Sequence, residues 1–184
     1  MPIAAWIRAW STRARRASIR TLDYGDAAGS LELRTELTKY LRRARGVTCT
    51  PERVVIVTGT QQAIVLTAAT LVDPGDRVVL ESPHYPAARR AMEAAAAEIA
   101  IVPVDEEGIR TDLLDELGAG ARLVCVTPSH QFPTGVVLAH RRRLELLAWA
   151  HRNSAYVLED DYASEYRYAE RPIEALQGMD REGN

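Results

Sequence analysis

The chain has 184 residues, of which 47% are hydrophobic and 26% charged, a mixture that can bury a real core and argues against disorder. Lys and Arg number 23 against 25 Asp and Glu, a formal net charge of -2, so no overall basic field holds phosphate backbones by counterion release and nucleic-acid binding by this chain alone is disfavoured. The length suits one compact unit with an arm.

Ile3, Trp6, Ile7 and Trp10 recur at i, i+3, i+4 and i+7 and predict one apolar face of a helix running towards Arg16, opposite a basic face with Arg8, Arg13 and Arg15. Such an arm packs its Trp face on a larger body or on another subunit; a membrane or nucleic-acid role is the alternative. A turn-rich loop, Asp23-Tyr24-Gly25-Asp26-Ala27-Ala28-Gly29, leads to a second helix with Leu33, Leu37, Tyr40 and Leu41 inward and Gly46 as terminator. From Pro51 the chain alternates. Apolar, β-branched runs at Val54 to Thr58, Val78 to Leu80, Ile99 to Val104, Leu123 to Val126 and Tyr156 to Leu158 predict buried strands. Helical stretches at Gln61 to Leu71, Pro86 to Ala97, Thr111 to Leu117 and Arg141 to Arg152 fill the gaps. Five strands separated by helices imply an α/β fold with a largely parallel sheet covered on both faces, and ligands in such sheets sit beyond the carboxyl ends of the strands.

Four strand-end loops therefore carry the functional argument. Thr58-Gly59-Thr60-Gln61-Gln62 runs from a predicted strand straight into a helix, offering unpaired N–H groups and a positive helix end to a phosphate; an ordinary helix cap is the plainer reading. It lacks the glycine pattern of a dinucleotide site and the Gly-Lys-Ser/Thr of a P-loop. Glu81-Ser82-Pro83-His84-Tyr85-Pro86 fixes Tyr85 between prolines, where a rigid aromatic stacks on a flat ring or simply packs. Thr127-Pro128-Ser129-His130-Gln131-Phe132-Pro133-Thr134-Gly135 is a polar loop, with His130 a catalytic candidate or a hydrogen-bonded structural group. In Glu159-Asp160-Asp161-Tyr162 alternation sends Asp160 to the face opposite Glu159 and Asp161. Metal binding, a carboxylate facing a cationic heterocycle nitrogen, and a solvated acidic turn are the readings of that run. Taken together, a phosphate cup, a stacking Tyr, a polar wall and a carboxylate at one sheet edge are the parts that hold a phosphorylated, protonated aromatic ring, which pyridoxal 5'-phosphate (PLP) is.

Cys49 and Cys125 stand far apart with no partner ligands, so neither a disulfide nor a zinc site is expected and a reduced, cytoplasmic protein is. Arg8 interrupts the first apolar segment before a secretory signal could form.

From Tyr24-Gly25-Asp26-Ala27-Ala28-Gly29 to Ala175-Leu176-Gln177-Gly178 the chain resembles the PLP-dependent, fold-type-I aminotransferase domain (aminotransferase class I/II) of the MocR-like, GntR-related transcriptional regulators. The loop Thr127 to Gly135 and the run from Glu159 to Tyr168 are its most specific parts. The resemblance implies a three-layer α/β/α large domain over residues 23–184 behind a helical arm over residues 1–22. It implies that Thr60 and Gln61 hold the cofactor phosphate, Tyr85 stacks on the ring, Asp160 pairs with the pyridinium nitrogen and Tyr162 hydrogen-bonds the ring oxygen. Tyr24 would reach a partner subunit's phosphate, which implies a homodimer. Phe132 stands where ordinary aminotransferases place an Asn, leaving the second contact to the ring oxygen to His130, to Gln131 or to no residue. The implied activity is transamination of an amino acid or amine through aldimine chemistry; effector sensing without turnover in a transcriptional regulator, and an inactive remnant, are the alternatives. The family's Schiff-base lysine and substrate-carboxylate arginine would fall beyond Asn184, and the only lysine, Lys39, matches no family lysine, so the chain alone is expected to be catalytically silent. DNA would be met only through a winged helix outside this sequence.

Overall fold

The computed structural model describes residues 2–162, 164 and 174–180. Of the motif running from Glu159 to Tyr168, Ala163 and residues 165–168 lie outside the described residues.

Helix α1 (Ile3–Arg16) forms with no acidic residue in its first turn and three arginines in its last, where they favour the negative helix end. Its apolar face is uncovered by the described residues: Trp6 is 53% exposed and Trp10 64%. Helix α2 (Leu31–Arg45) ends on Gly46 at φ 71°, a left-handed cap; a Cβ there would lie 2.6 Å from Glu174 Oε1. The inward face of α2 differs from the apolar one expected. Leu33 is exposed and Leu37, Tyr40 and Leu41 are only half-buried, whereas Arg34, Thr38 and Arg45 are buried. The reason is partners: Arg34 donates to Gly29 O at 3.0 Å, to Pro51 O at 3.2 Å and to Asp26 Oδ2 at 2.6 Å, so its charge is hydrogen-bonded where it is buried.

Four of the five expected strands form: β1 (Arg77–Ser82), β2 (Glu98–Asp105), β4 (Ala121–Val126) and β5 (Tyr156–Glu159), with a short β3 (Gly108–Ile109) between β2 and β4 in sequence. The expected strand from Val54 to Thr58 does not. It is an extended connector whose Ile56 N–H donates to Ala28 O at 2.9 Å, and whose Val55 is 55% exposed. Its β-branched residues favour extended backbone, but it joins no strand of the sheet. Helix α3 (Thr60–Leu71) follows; α4 (Pro86–Ala94) stops three residues earlier than expected, in a turn where Ala96 takes φ 59°. Residues 111–117 divide into a 3-10 turn and the short α5 (Leu114–Leu117), before α6 (His140–Asn153) and α7 (Leu176–Met179).

The sheet order is β3-β2-β1-β4-β5, with β1 parallel to β2 and β4, β4 parallel to β5, and β3 antiparallel to β2. Alternation along each strand feeds two cores. Val78, Leu80, Leu123 and Cys125 face Ile64 and Ala68 of α3 and Ala88, Ala91 and Met92 of α4. Val79, Val124 and Val126 face Leu114 of α5, Leu146, Trp149 and Ala150 of α6, and Leu176 of α7. The result is a three-layer α/β/α arrangement. The chain leaves β1 towards β2 over one face and leaves β4 towards β5 over the other. The carboxyl ends of β1 and β4 therefore flank the switch point, where connections diverge and a crevice opens.

Candidate functional site

That crevice is a cavity of about 230 Å³ lined by Thr60, Tyr85, Phe132, Asp160 and Tyr162. Each comes from a different structural cause. Thr60 opens α3 after Gly59, and no side chain caps that helix start, so its first N–H groups point out of the helix at the positive end of its dipole. Tyr85 precedes Pro86, the first residue of α4, which holds Tyr85 extended at the mouth of β1. Asp160 follows β5 and donates its N–H to Val126 O at 2.9 Å, continuing the ladder with β4. Alternation then projects Asp160 into the cavity, while Glu159 and Asp161 turn the other way towards Arg45.

The rings make an aromatic row. Phe132 meets Tyr85 edge-on at 5.6 Å between centroids and Tyr162 at 6.4 Å, geometries that aromatic quadrupoles favour. Among the described residues no side chain donates a hydrogen bond or an ion pair to the Asp160 carboxylate. Burial, and the Asp161 charge after it, push its pKa above the ordinary range. Tyr162 is pushed up by burial, Asp160 and Glu81. The cavity is thus an acidic, aromatic slot facing a helix N-terminus. It suits a flat cationic heterocycle bearing an anionic group.

Behind the slot lies a network that the strand-end reading missed. Glu81, 4% exposed at the end of β1, accepts on Oε2 from Thr127 N at 3.2 Å, Thr127 Oγ1 at 2.8 Å and Gln131 Nε2 at 3.2 Å. Thr127 Oγ1 accepts in turn from Phe132 N at 2.9 Å, and Gln131 Nε2 reaches Pro83 O at 2.7 Å and Phe132 O at 2.8 Å. One carboxylate therefore joins the loop carrying Tyr85 to the loop carrying Phe132. The available signal was a lone acid closing the apolar run Val78-Val79-Leu80.

The remaining candidates lie elsewhere. The Gln61 side chain donates to Ala87 O at 3.3 Å on α4, so only its backbone stays at the helix start. Gln131 is 1% exposed and occupied within its loop. His130 does not line the cavity, and among the described residues its buried Nδ1 has no hydrogen-bond partner. Tyr24 is fully exposed, away from the cavity of its own chain. Lys39 is exposed on α2 and paired with Glu36 at 2.7 Å. Among the described residues no group of three or more His, Cys, Asp or Glu could hold a metal ion, because the acidic run is divided between two faces. No described helix is long and apolar enough to cross a membrane.

Residues 2–179 match the family model for aminotransferase class I and II. The chain is 39% identical over 182 residues to the probable rhizopine catabolism regulatory protein MocR of Rhizobium meliloti, covering 99% of this chain and 36% of that protein. It is 36% identical over 177 residues to the HTH-type pyridoxine biosynthesis transcriptional regulator PdxR of Corynebacterium glutamicum, covering 96% of this chain and 37% of that protein. Among solved structures, kynurenine aminotransferase of Pyrococcus horikoshii, in complex with PMP, superposes with a TM-score of 0.90 at 30% identity, over 100% of this chain and 47% of that one. The chain spans less than half the length of these relatives.

Proposed function

Because the chain belongs to the aminotransferase class I and II family, we propose that its strand-end cavity binds PLP and that the protein carrying this domain transaminates an amino acid or amine. The observation that carries the reading is Asp160: a carboxylate with no described cationic partner, in one cavity with three aromatic rings and the open start of α3. The start of α3 and Thr60 would hold the phosphate, Tyr85 and Phe132 would flank the ring, Asp160 would face the ring nitrogen and Tyr162 the ring oxygen. When bound, PLP supplies an electron sink for bond breaking at a substrate's α-carbon. The contribution of Asp160 is to keep the ring nitrogen protonated, and that of the rings is to exclude water from it.

A titration of the chain with PLP tests this. Asp160→Asn is expected to weaken binding about tenfold, the worth of one charge-assisted contact, whereas Lys39→Ala should leave it unchanged and borohydride should trap no adduct at Lys39. Equal affinity of wild type and Asp160→Asn would remove the assignment.

A second reading, PLP sensing by a transcriptional regulator without turnover, is supported by the likeness to MocR and PdxR. Conversion of PLP to its amine form by added amino acids, measured chromatographically on the protein that carries this domain, separates the two.

A homodimer belongs to the same proposal. Ile3, Trp6, Ile7 and Trp10 form an apolar face that the described residues leave uncovered, of the kind that buries against another subunit. Sedimentation should give twice the chain mass, and Trp6→Glu with Trp10→Glu should give the monomer; a wild-type monomer refutes it.

A further inference from the structure

Arg45 closes α2 and is 5% exposed. Its Nη2 donates to Ser129 Oγ at 3.2 Å, pairs with the Asp161 carboxylate and stands 3.7 Å from Glu159 Oε1. Glu159 Oε2 accepts from Leu176 N at 2.8 Å, and Arg45 O accepts from Ala175 N at 2.9 Å. Asp161 and Glu159 bracket Asp160, and Ser129 lies three residues before Phe132. A single guanidinium thus grips, from the face away from the cavity, both loops whose other residues line it.

Stability alone explains this cluster poorly. Two carboxylates face the Arg45 guanidinium, with the Arg143 charge acting on Glu159 as well, and among the described residues Arg45 Nη1, Asp161 Oδ1 and Glu159 Oε1 are buried without hydrogen-bond partners. A buried ion pair with orphan atoms recovers little of its desolvation cost, and an apolar side chain of similar volume does as well or better. What an apolar replacement cannot do is fix the direction of alternate residues at the end of a strand that, among the described residues, β4 supports on one side only.

We propose that Arg45 is a positioning residue: by holding Glu159 and Asp161 behind the sheet edge, and Ser129 beside them, it fixes the direction in which Asp160 and Tyr162 enter the cavity. The consequence for ligand binding rests on the PLP reading above, whereas the placement of Asp160 is measurable without ligand.

The test uses Arg45→Met, together with Arg45→Met/Asp161→Asn, which removes the carboxylate left uncompensated and protects the fold. Hydrogen exchange at the Asp160 amide, bonded to Val126 O, reads the placement. PLP and benzyl phosphate, which has a ring and a phosphate but no ring nitrogen, read its effect. In the folded double variant, exchange at Asp160 should speed up at least ~10-fold with β1 and β2 amides unchanged. PLP should weaken about tenfold and benzyl phosphate less than about twofold. A general structural defect would weaken both ligands alike. Wild-type exchange at Asp160 together with a wild-type ratio of the two affinities overturns the proposal. If the wild type itself does not distinguish PLP from benzyl phosphate, the PLP reading fails, and exchange at Asp160 alone decides the role of Arg45.

Discussion

Pyridoxal is expected to bind this chain at least ~100-fold more weakly than PLP, a difference of about 2.7 kcal/mol. The two ligands share the ring, the aldehyde and the pyridine nitrogen and differ only in the 5'-phosphate, which carries close to two negative charges at neutral pH. The start of α3 offers N–H groups with no side-chain cap, at the positive end of the helix dipole, and Thr60 adds a hydroxyl. Several charge-assisted bonds to a dianion would outweigh the one that Asp160 would make to a ring nitrogen under the proposed binding mode. Loss of Asp160 should therefore cost less affinity than loss of the phosphate, and in a catalytically complete protein it should damage turnover more than cofactor retention. Isothermal titration with both ligands measures the difference. Equal dissociation constants would remove the phosphate role of Thr60 and of the Gln61 N–H.

The second large effect is at Glu81. Glu81→Leu fills the space of the side chain but leaves Thr127 N, Thr127 Oγ1 and Gln131 Nε2 facing a hydrocarbon. A destabilisation of about 3 kcal/mol by urea denaturation is expected. Glu81→Gln retains an acceptor oxygen and should cost far less at neutral pH. The pH dependence separates charge from hydrogen bonding. Burial, the largest influence, raises the Glu81 pKa above its ordinary 4.5, and the bonds from Thr127 and Gln131 oppose it. A carboxyl whose pKa is raised on folding favours the fold fully below its unfolded pKa, and that contribution is lost as the pH climbs through the folded value. Wild type should therefore lose stability relative to Glu81→Gln as the pH rises above about 4.5. A stability difference that is flat between pH 4 and pH 8, or of opposite slope, would show that burial does not govern this carboxyl.

Legibility in the sequence followed the range of the interactions. The apolar runs that became β1, β2, β4 and β5 announce themselves because helices cover both faces of a parallel sheet, so the middles of its strands are mostly apolar. Val54 to Thr58 has the same composition and is no strand. Side-chain type sets an extended backbone, but a ladder needs a partner strand, and Ala28 O, a loop carbonyl, took the Ile56 N–H instead. Helix α2 gave the converse error: periodicity selects leucines for the inside, yet Arg34 and Arg45 went in, because partners 8 to 116 positions away in sequence, Asp26 and Asp161, compensate their charge.

By itself the sequence determined which residues could serve a phosphorylated cationic ring, since helix starts, proline-fixed aromatics and strand-end carboxylates are local devices. It determined too that Asp160 and its neighbours face opposite ways, because alternation in a strand is a property of the backbone. Only the tertiary structure decided which of these devices meet. The order β3-β2-β1-β4-β5 brings the ends of β1, β4 and β5 together, uniting Tyr85, Phe132, Asp160 and Tyr162 with Thr60 and leaving His130 and the Gln61 side chain aside. It also decided that Glu81 and Arg45 stand behind them. A buried charge is tolerable only where distant groups converge on it, and convergence is a fact of packing that no local pattern of residues encodes.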